Sequence, residues 1–235
     1  LQAFVKIYVG TKTEPFYIHE TLAVERCEFF KKALRASFAE SSTKEIRIPE
    51  EDPGIFGFVV EFLYAGGITE IWEDNDDALV CKPSDAELYK IWLTAEYLLL
   101  GELQNVAMRM LFARNMGKKT PGCGSLTFPE VYRRTSGDSP LRRFILDCTV
   151  WRGWVDPKSV YQCGVEEAAK HFTPEMMLDL LYLQHERIQR RLLNPLNDVA
   201  NYLVQTSVKR ELAEHSEEVK TEMDVDDEVE VVENE

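Results

Sequence analysis

The residues best suited to chemistry lie scattered along the chain. His19 has only Glu20 and Glu25 near it in sequence, which makes an acid–base pair without a nucleophile, and a buried, hydrogen-bonded structural histidine fits it better. His171 and His185 stand too far apart for a metal pair, and His185 falls on the apolar stripe of its helix. The five cysteines (Cys27, Cys81, Cys123, Cys148 and Cys163) form no C-x-x-C pair and have no histidine at ligand spacing. Structural zinc and a disulfide framework are therefore not expected, and reduced, mostly buried thiols are. G-x-S-x-G, the P-loop, G-x-G-x-x-G and H-E-x-x-H are all missing, so an enzyme has no constellation behind it and no cofactor is expected. One tripeptide offers recognition chemistry instead: Phe38-Ala39-Glu40 sets an aromatic anchor beside a carboxylate. Its plain alternative is a core phenylalanine, four residues after Leu34 on the same helical face.

Charge narrows the field. The 235 residues carry a formal charge of -14, yet Glu211 to Glu235 alone holds twelve acids against one lysine. The body is nearly neutral, which argues against a broad nucleic-acid footprint. The pairs Lys118-Lys119, Arg133-Arg134 and Arg142-Arg143 could gather into a patch, though solvated helix faces are the commoner use of such pairs. The tail from residue 213 to 235 alternates acids and valine without aromatics and is expected to be disordered. Leu1 opens the chain in place of Met, as in a fragment or a processed product. The N-terminus has no signal segment, and Glu96 interrupts the longest apolar run, Ile91 to Leu100, so a cytoplasmic or nuclear protein is expected.

The elements that must position these residues follow from period and punctuation. Phe4 to Val9 alternates as a strand, Gly10 to Pro15 is turn chemistry, and Phe16-Tyr17-Ile18 returns as its hairpin partner. Two short helices follow, with Leu22, Phe29, Phe30, Ala33 and Leu34 near one face and Cys27 at the break. Glu45 to Ile48 is a third strand, stopped by Pro49. Asp52-Pro53 starts a helix that buries Ile55, Phe56, Val59, Phe62 and Leu63 and ends at Gly66-Gly67. About residues 70–84, five acids mark a loop insertion. Ser84 to Glu87 is a capping box, opening a helix with Leu88, Ile91, Trp92, Ala95, Leu98 and Leu99. Gly101 is expected to join it to a partner helix that carries Leu103, Val106, Ala107, Met110 and Leu111.

Beyond a Gly- and Pro-containing linker the pattern is helical. Ser139-Pro140 opens a helix with Leu141, Phe144, Ile145 and Cys148 inward. Thr173-Pro174 opens another, with Met177, Leu178, Leu181 and Ile188 on one side, and a weaker helix runs from about Leu196 to Leu212. The Trp-rich stretch from Val150 to Val155 suits packing or a partner surface. The order of elements implies an α+β fold, a small mixed sheet flanked by helices, followed by an α-helical extension. The expected divisions are 1–118, 126–212 and the acidic tail 213–235.

Several of these pieces, taken in order, resemble a BTB/POZ domain: Val5 to Gly10, Phe16 to His19, Leu22, Cys27-Glu28-Phe29-Phe30, Phe38 to Ser41, Ile46 to Asp52 and Phe62 to Ile68. The whole chain, with its acidic insertion and its Ser139 to Arg143 element, resembles fungal BTB proteins. The resemblance implies a protein-interaction module that self-associates as a homodimer and recruits protein partners. Many such domains are substrate adaptors of cullin-RING ubiquitin ligases, in which an apolar residue, any residue and then Glu insert against the cullin. Phe38, Ala39 and Glu40 match that pattern at the corresponding place. Two departures stand out: Ala3 and Phe4 replace a common acid before the first strand, and Cys27 replaces a common serine. The alternative is a nuclear, chromatin-associated regulator that uses the domain to dimerise, and it would need a DNA-binding segment.

Overall fold

In the computed structural model of the protein, alternation in Phe4–Val9 (β1) sends Val5, Ile7 and Val9 into the core and leaves Phe4 exposed. Phe16–His19 (β2) pairs with β1 antiparallel, Val5 opposite Ile18, and Glu45–Ile48 (β3) pairs with β1 parallel, Ile7 opposite Ile46. The sheet order is therefore β2-β1-β3. The residues described are 3–35, 42–68, 83–117, 127–152, 166, 170–190 and 194–206. By contacts, Leu1–Leu203 make one unit and Val204–Glu235 another.

One face of the sheet is covered by helices. Glu20–Arg26 (α1) and Glu28–Ala33 (α2) break at Cys27, as the sequence suggests. Cys27 supplies no side-chain cap; its thiol donates to the Leu98 carbonyl at 3.4 Å, and burial pushes its pKa up to about 11. It is a packing residue rather than a reactive thiol. Pro53–Ala65 (α3) starts where expected, because Asp52 Oδ1 accepts from the amides of Gly54 at 2.7 Å and Ile55 at 3.2 Å. Gly10 makes the approach of β1 to this helix possible. It holds φ +59°, and a Cβ there would meet the Glu51 carbonyl oxygen at 2.9 Å.

Asp85–Tyr97 (α4) opens with the reciprocal cap read from the sequence: Ser84 Oγ accepts from Glu87 N at 3.2 Å, and Glu87 Oε2 accepts from Ser84 N at 2.7 Å. Gly101–Gly117 (α5) packs back against it. The joint differs from the expected one. Gly101 is the first residue of α5, and the left-handed position falls on Leu99, at φ 57°. A left-handed leucine costs about 1–2 kcal/mol relative to the right-handed region. Leu99 is also exposed, so no packing of its own offsets that cost.

Phe128–Arg134 (α6), Pro140–Arg152 (α7) and Pro174–Arg190 (α8) follow. Leu141, Phe144, Ile145 and Cys148 of α7 are fully buried, as expected. Phe144 stacks with Phe112 of α5 and with Tyr202, while Phe128 meets Tyr89 edge-on at 6.0 Å. The α6–α7 pair is thus seated on the α4–α5 hairpin. Arg142 of α7 pairs with Glu175 at the start of α8, and Arg187 near its end donates to the Val150 carbonyl at 2.7 Å. The two helices therefore run parallel. In place of the continuous helix expected from about Leu196, two 3-10 turns, Pro195–Asn197 and Val199–Tyr202, are held by Asn194 and Asp198 side-chain caps.

Candidate protein-binding surfaces

The residues with chemical potential resolve into structural roles. His19 is half-buried; its Nδ1 lies 2.7 Å from the Tyr64 hydroxyl, and that hydroxyl also accepts from the His19 backbone amide at 3.2 Å. Its ring is 4.4 Å from that of Phe4. The imidazole sits on the wall of a depression of about 450 Å³ lined by Ala3, His19, Thr21, Leu22, Glu25 and Tyr64. Glu25 is its acidic member, and among the described residues that line it there is no cysteine, serine or lysine nucleophile beside the histidine. His185 is exposed, in the middle of an outward helix face. Among the described residues no group of three His, Cys, Asp or Glu could hold a metal ion. None of the described helices is long and apolar enough to cross a membrane.

The two described dibasic pairs, Arg133-Arg134 and Arg142-Arg143, each split between a buried or paired arginine and an exposed one. Arg142 is 4% exposed and closes the end of α6. Its guanidinium donates to the Tyr132 and Thr135 carbonyls and, at 2.8 Å, to Thr135 Oγ1, and it stacks 4.3 Å over the Tyr132 ring. These carbonyls lie in the last turn and the cap of α6, where no helical amide remains to reach them. Tyr132 then donates to Asp179 of α8 at 3.0 Å. Arg134 is spent on Glu51, a carboxylate buried between β3 and α3 that also accepts from Thr94 Oγ1. Nearby, burial raises the Glu96 carboxyl pKa against the pull of Arg134. Arg133 and Arg143 remain exposed, while Lys118-Lys119 lies outside the described residues.

What the domain does offer is aromatic surface. The outer side of the sheet carries Phe4 and Tyr17, both exposed, with Lys6 paired to Glu45 at 3.2 Å and Arg47 stacked 4.4 Å over Tyr8. Tyr64 extends this side beyond the sheet, next to His19. A second exposed pair, Tyr97 and Leu99, lies where α4 turns into α5, and the Tyr97 ring is 5.2 Å from Phe29 of α2. Phe38, Ala39 and Glu40, like the acidic insertion and the tail, lie outside the described residues. The chain enters that tripeptide five residues after α2 ends. Sequence reasoning missed the Tyr97–Leu99 pair, because helical spacing assigns Leu99 to the buried stripe.

Among curated proteins nothing matches the chain. A match to the family described as BTB/POZ domain spans residues 3–111, from the residue before β1 to within α5. That span takes in the three strands, α1 to α4 and most of the hairpin, and it ends before α6. Residues 3–111 are a BTB/POZ domain, a member of a non-catalytic family of protein–protein interaction and dimerisation modules.

Proposed function

We propose that the protein is an adaptor: its BTB/POZ domain self-associates and recruits protein partners, and Phe38-Ala39-Glu40 docks on a cullin of a RING ubiquitin ligase. The BTB/POZ domain itself is the observation that carries this reading. Two surface features support it. The tripeptide follows α2 in the chain, and Phe29 of that helix touches the exposed Tyr97, so the domain carries exposed aromatic surface beside the helix that leads to the motif. Exposed Phe4, Tyr17 and Tyr64 on the sheet side are the kind of rigid, amphipathic side chains that interfaces favour.

Phe38→Ala with Glu40→Ala in the full chain is expected to weaken cullin binding at least tenfold while the thermal unfolding curve stays unchanged. Binding is measured by calorimetry with a purified cullin N-terminal region. Wild-type protein that binds no cullin would sink the adaptor reading and leave the interaction-module reading standing. Light scattering of the full chain across micromolar concentrations tests self-association separately, and a concentration-independent monomer would remove it.

A further inference from the structure

Ten large apolar side chains are exposed among the described residues, and five of them belong to one helix, α8: Met177, Leu178, Leu181, Tyr182 and Ile188. Leu178 and Leu181 are each about two-thirds exposed, whereas Met176, two residues before Leu178, is fully buried. The two sets lie on opposite sides of the helix. The inner side is used by α7, through Met176, the Arg142–Glu175 pair and Arg187 stacked 4.4 Å over Trp151. The outer side has Leu178, Leu181, His185 and Ile188 at steps of three, four and three, the spacing of a heptad seam. Assuming roughly 200 Å² for each whole residue, the five side chains present on the order of 600 Å² of surface. That reaches the upper limit of the largest patch on a typical monomer.

We infer that this outer face of α8 is a self-association surface, on which a second copy of the same helix packs antiparallel across a two-fold axis. The seam selects the occupant and its direction. Antiparallel pairing of two copies sets His185 of one against Leu181 of the other, whereas parallel pairing stacks the two His185 rings on each other. Area agrees: two copies of the patch bury about 1,200 Å² in total, the lower bound of a standard specific interface. The pattern is also self-complementary, as an isologous contact requires, because Leu178 of one copy meets Ile188 of the other. His185 is the one polar residue in the seam, and a single polar seam position fixes register at some cost in affinity. This surface lies outside residues 3–111 and is separate from any self-association of the BTB/POZ domain.

The test uses the full chain. Tyr182 flanks the seam next to the helix midpoint, so in the pair its two copies fall within reach of a short bis-maleimide. With Cys81, Cys123 and Cys163 replaced by serine, Tyr182→Cys at low micromolar concentration is expected to give at least tenfold more crosslinked dimer than Asp138→Cys, an exposed control, with the triple-serine parent as background because Cys27 and Cys148 are buried. Adding Leu178→Glu and Leu181→Glu is expected to abolish the crosslink without changing helical circular dichroism or Tm. Equal crosslinking of Tyr182→Cys and Asp138→Cys overturns the proposal. So does unfolding of the double-glutamate variant, since it would place that face inside the chain's own fold. Repeating the crosslink in a Phe4→Glu, Tyr17→Glu background separates the two interfaces: persistence supports an independent α8 contact, and loss overturns it.

Discussion

Two helix pairs in this molecule look alike in sequence and behave differently in space. The α4–α5 hairpin of the BTB/POZ domain is antiparallel, turns within Leu98 to Leu100, and buries nearly every apolar position that its spacing marks. The α7–α8 pair of the extension is parallel, and α8 turns one apolar side to α7 and the other outward. Helical spacing reports which residues share a side. It does not report what lies against that side, and a helix with apolar residues on both sides leaves the choice to its neighbours. In the hairpin the neighbours are the rest of the domain, so the stripe and the core coincide.

The contrast can be tested at the point where the two regions meet. Arg134 of α6 holds Glu51 of the domain in a site where the carboxylate side chain is 3% exposed. Arg134→Met is expected to cost about 3–5 kcal/mol of stability in urea unfolding, because it strands a buried charge. Adding Glu51→Gln, which still accepts from Thr94, should recover most of that loss. No recovery would mean that Arg134 acts through packing alone.

A smaller effect discriminates the two sides of α8. Met176→Ala is expected to cost about 2–5 kcal/mol. Leu181→Ala, on the outer side, should change stability by no more than about 0.5 kcal/mol at concentrations where the chain is monomeric. Equal costs would erase the distinction between the sides.

The smallest effect concerns Asp147, a buried acid on α7 that accepts from Tyr202 at 2.8 Å. Burial raises its pKa, against the Tyr202 hydrogen bond and the charge of Arg143. Stability from its neutral form is therefore present below the unfolded-state value and lost as pH rises through the raised one. Asp147→Asn should raise Tm at pH 7, with the gain shrinking toward pH 4. A gain that grows on acidification would reverse the sign.

Much of the domain was legible because its signals are local. Asp52 and Ser84 announce helix starts through acceptors that reach amides two or three residues on, and Phe4 to Val9 declares its pleat by alternation. The misses are cases in which a distant partner decides. Arg142 reads as half of a surface pair, yet the open carbonyls of α6 draw it inside. Gly101 reads as the joint of the hairpin, yet the chain places its left-handed residue at Leu99 and begins α5 with the glycine. Met177, Leu178, Leu181 and Ile188 do share a side of α8, and that side faces out. For the tripeptide at 38–40 the motif alone speaks, since it lies outside the described residues.

Glu51 has a consequence for dissecting the protein into parts. It lies inside the BTB/POZ domain, while the cation that neutralises it comes from beyond residue 111. A fragment cut after α5 inherits the buried acid with Thr94 and loses the arginine. Such a fragment is expected to be less stable than the same residues in the full chain, and Glu51→Gln should restore it. The extension is thus part of the domain's own electrostatic balance, and binding data from the isolated fragment would confuse lost contacts with lost fold.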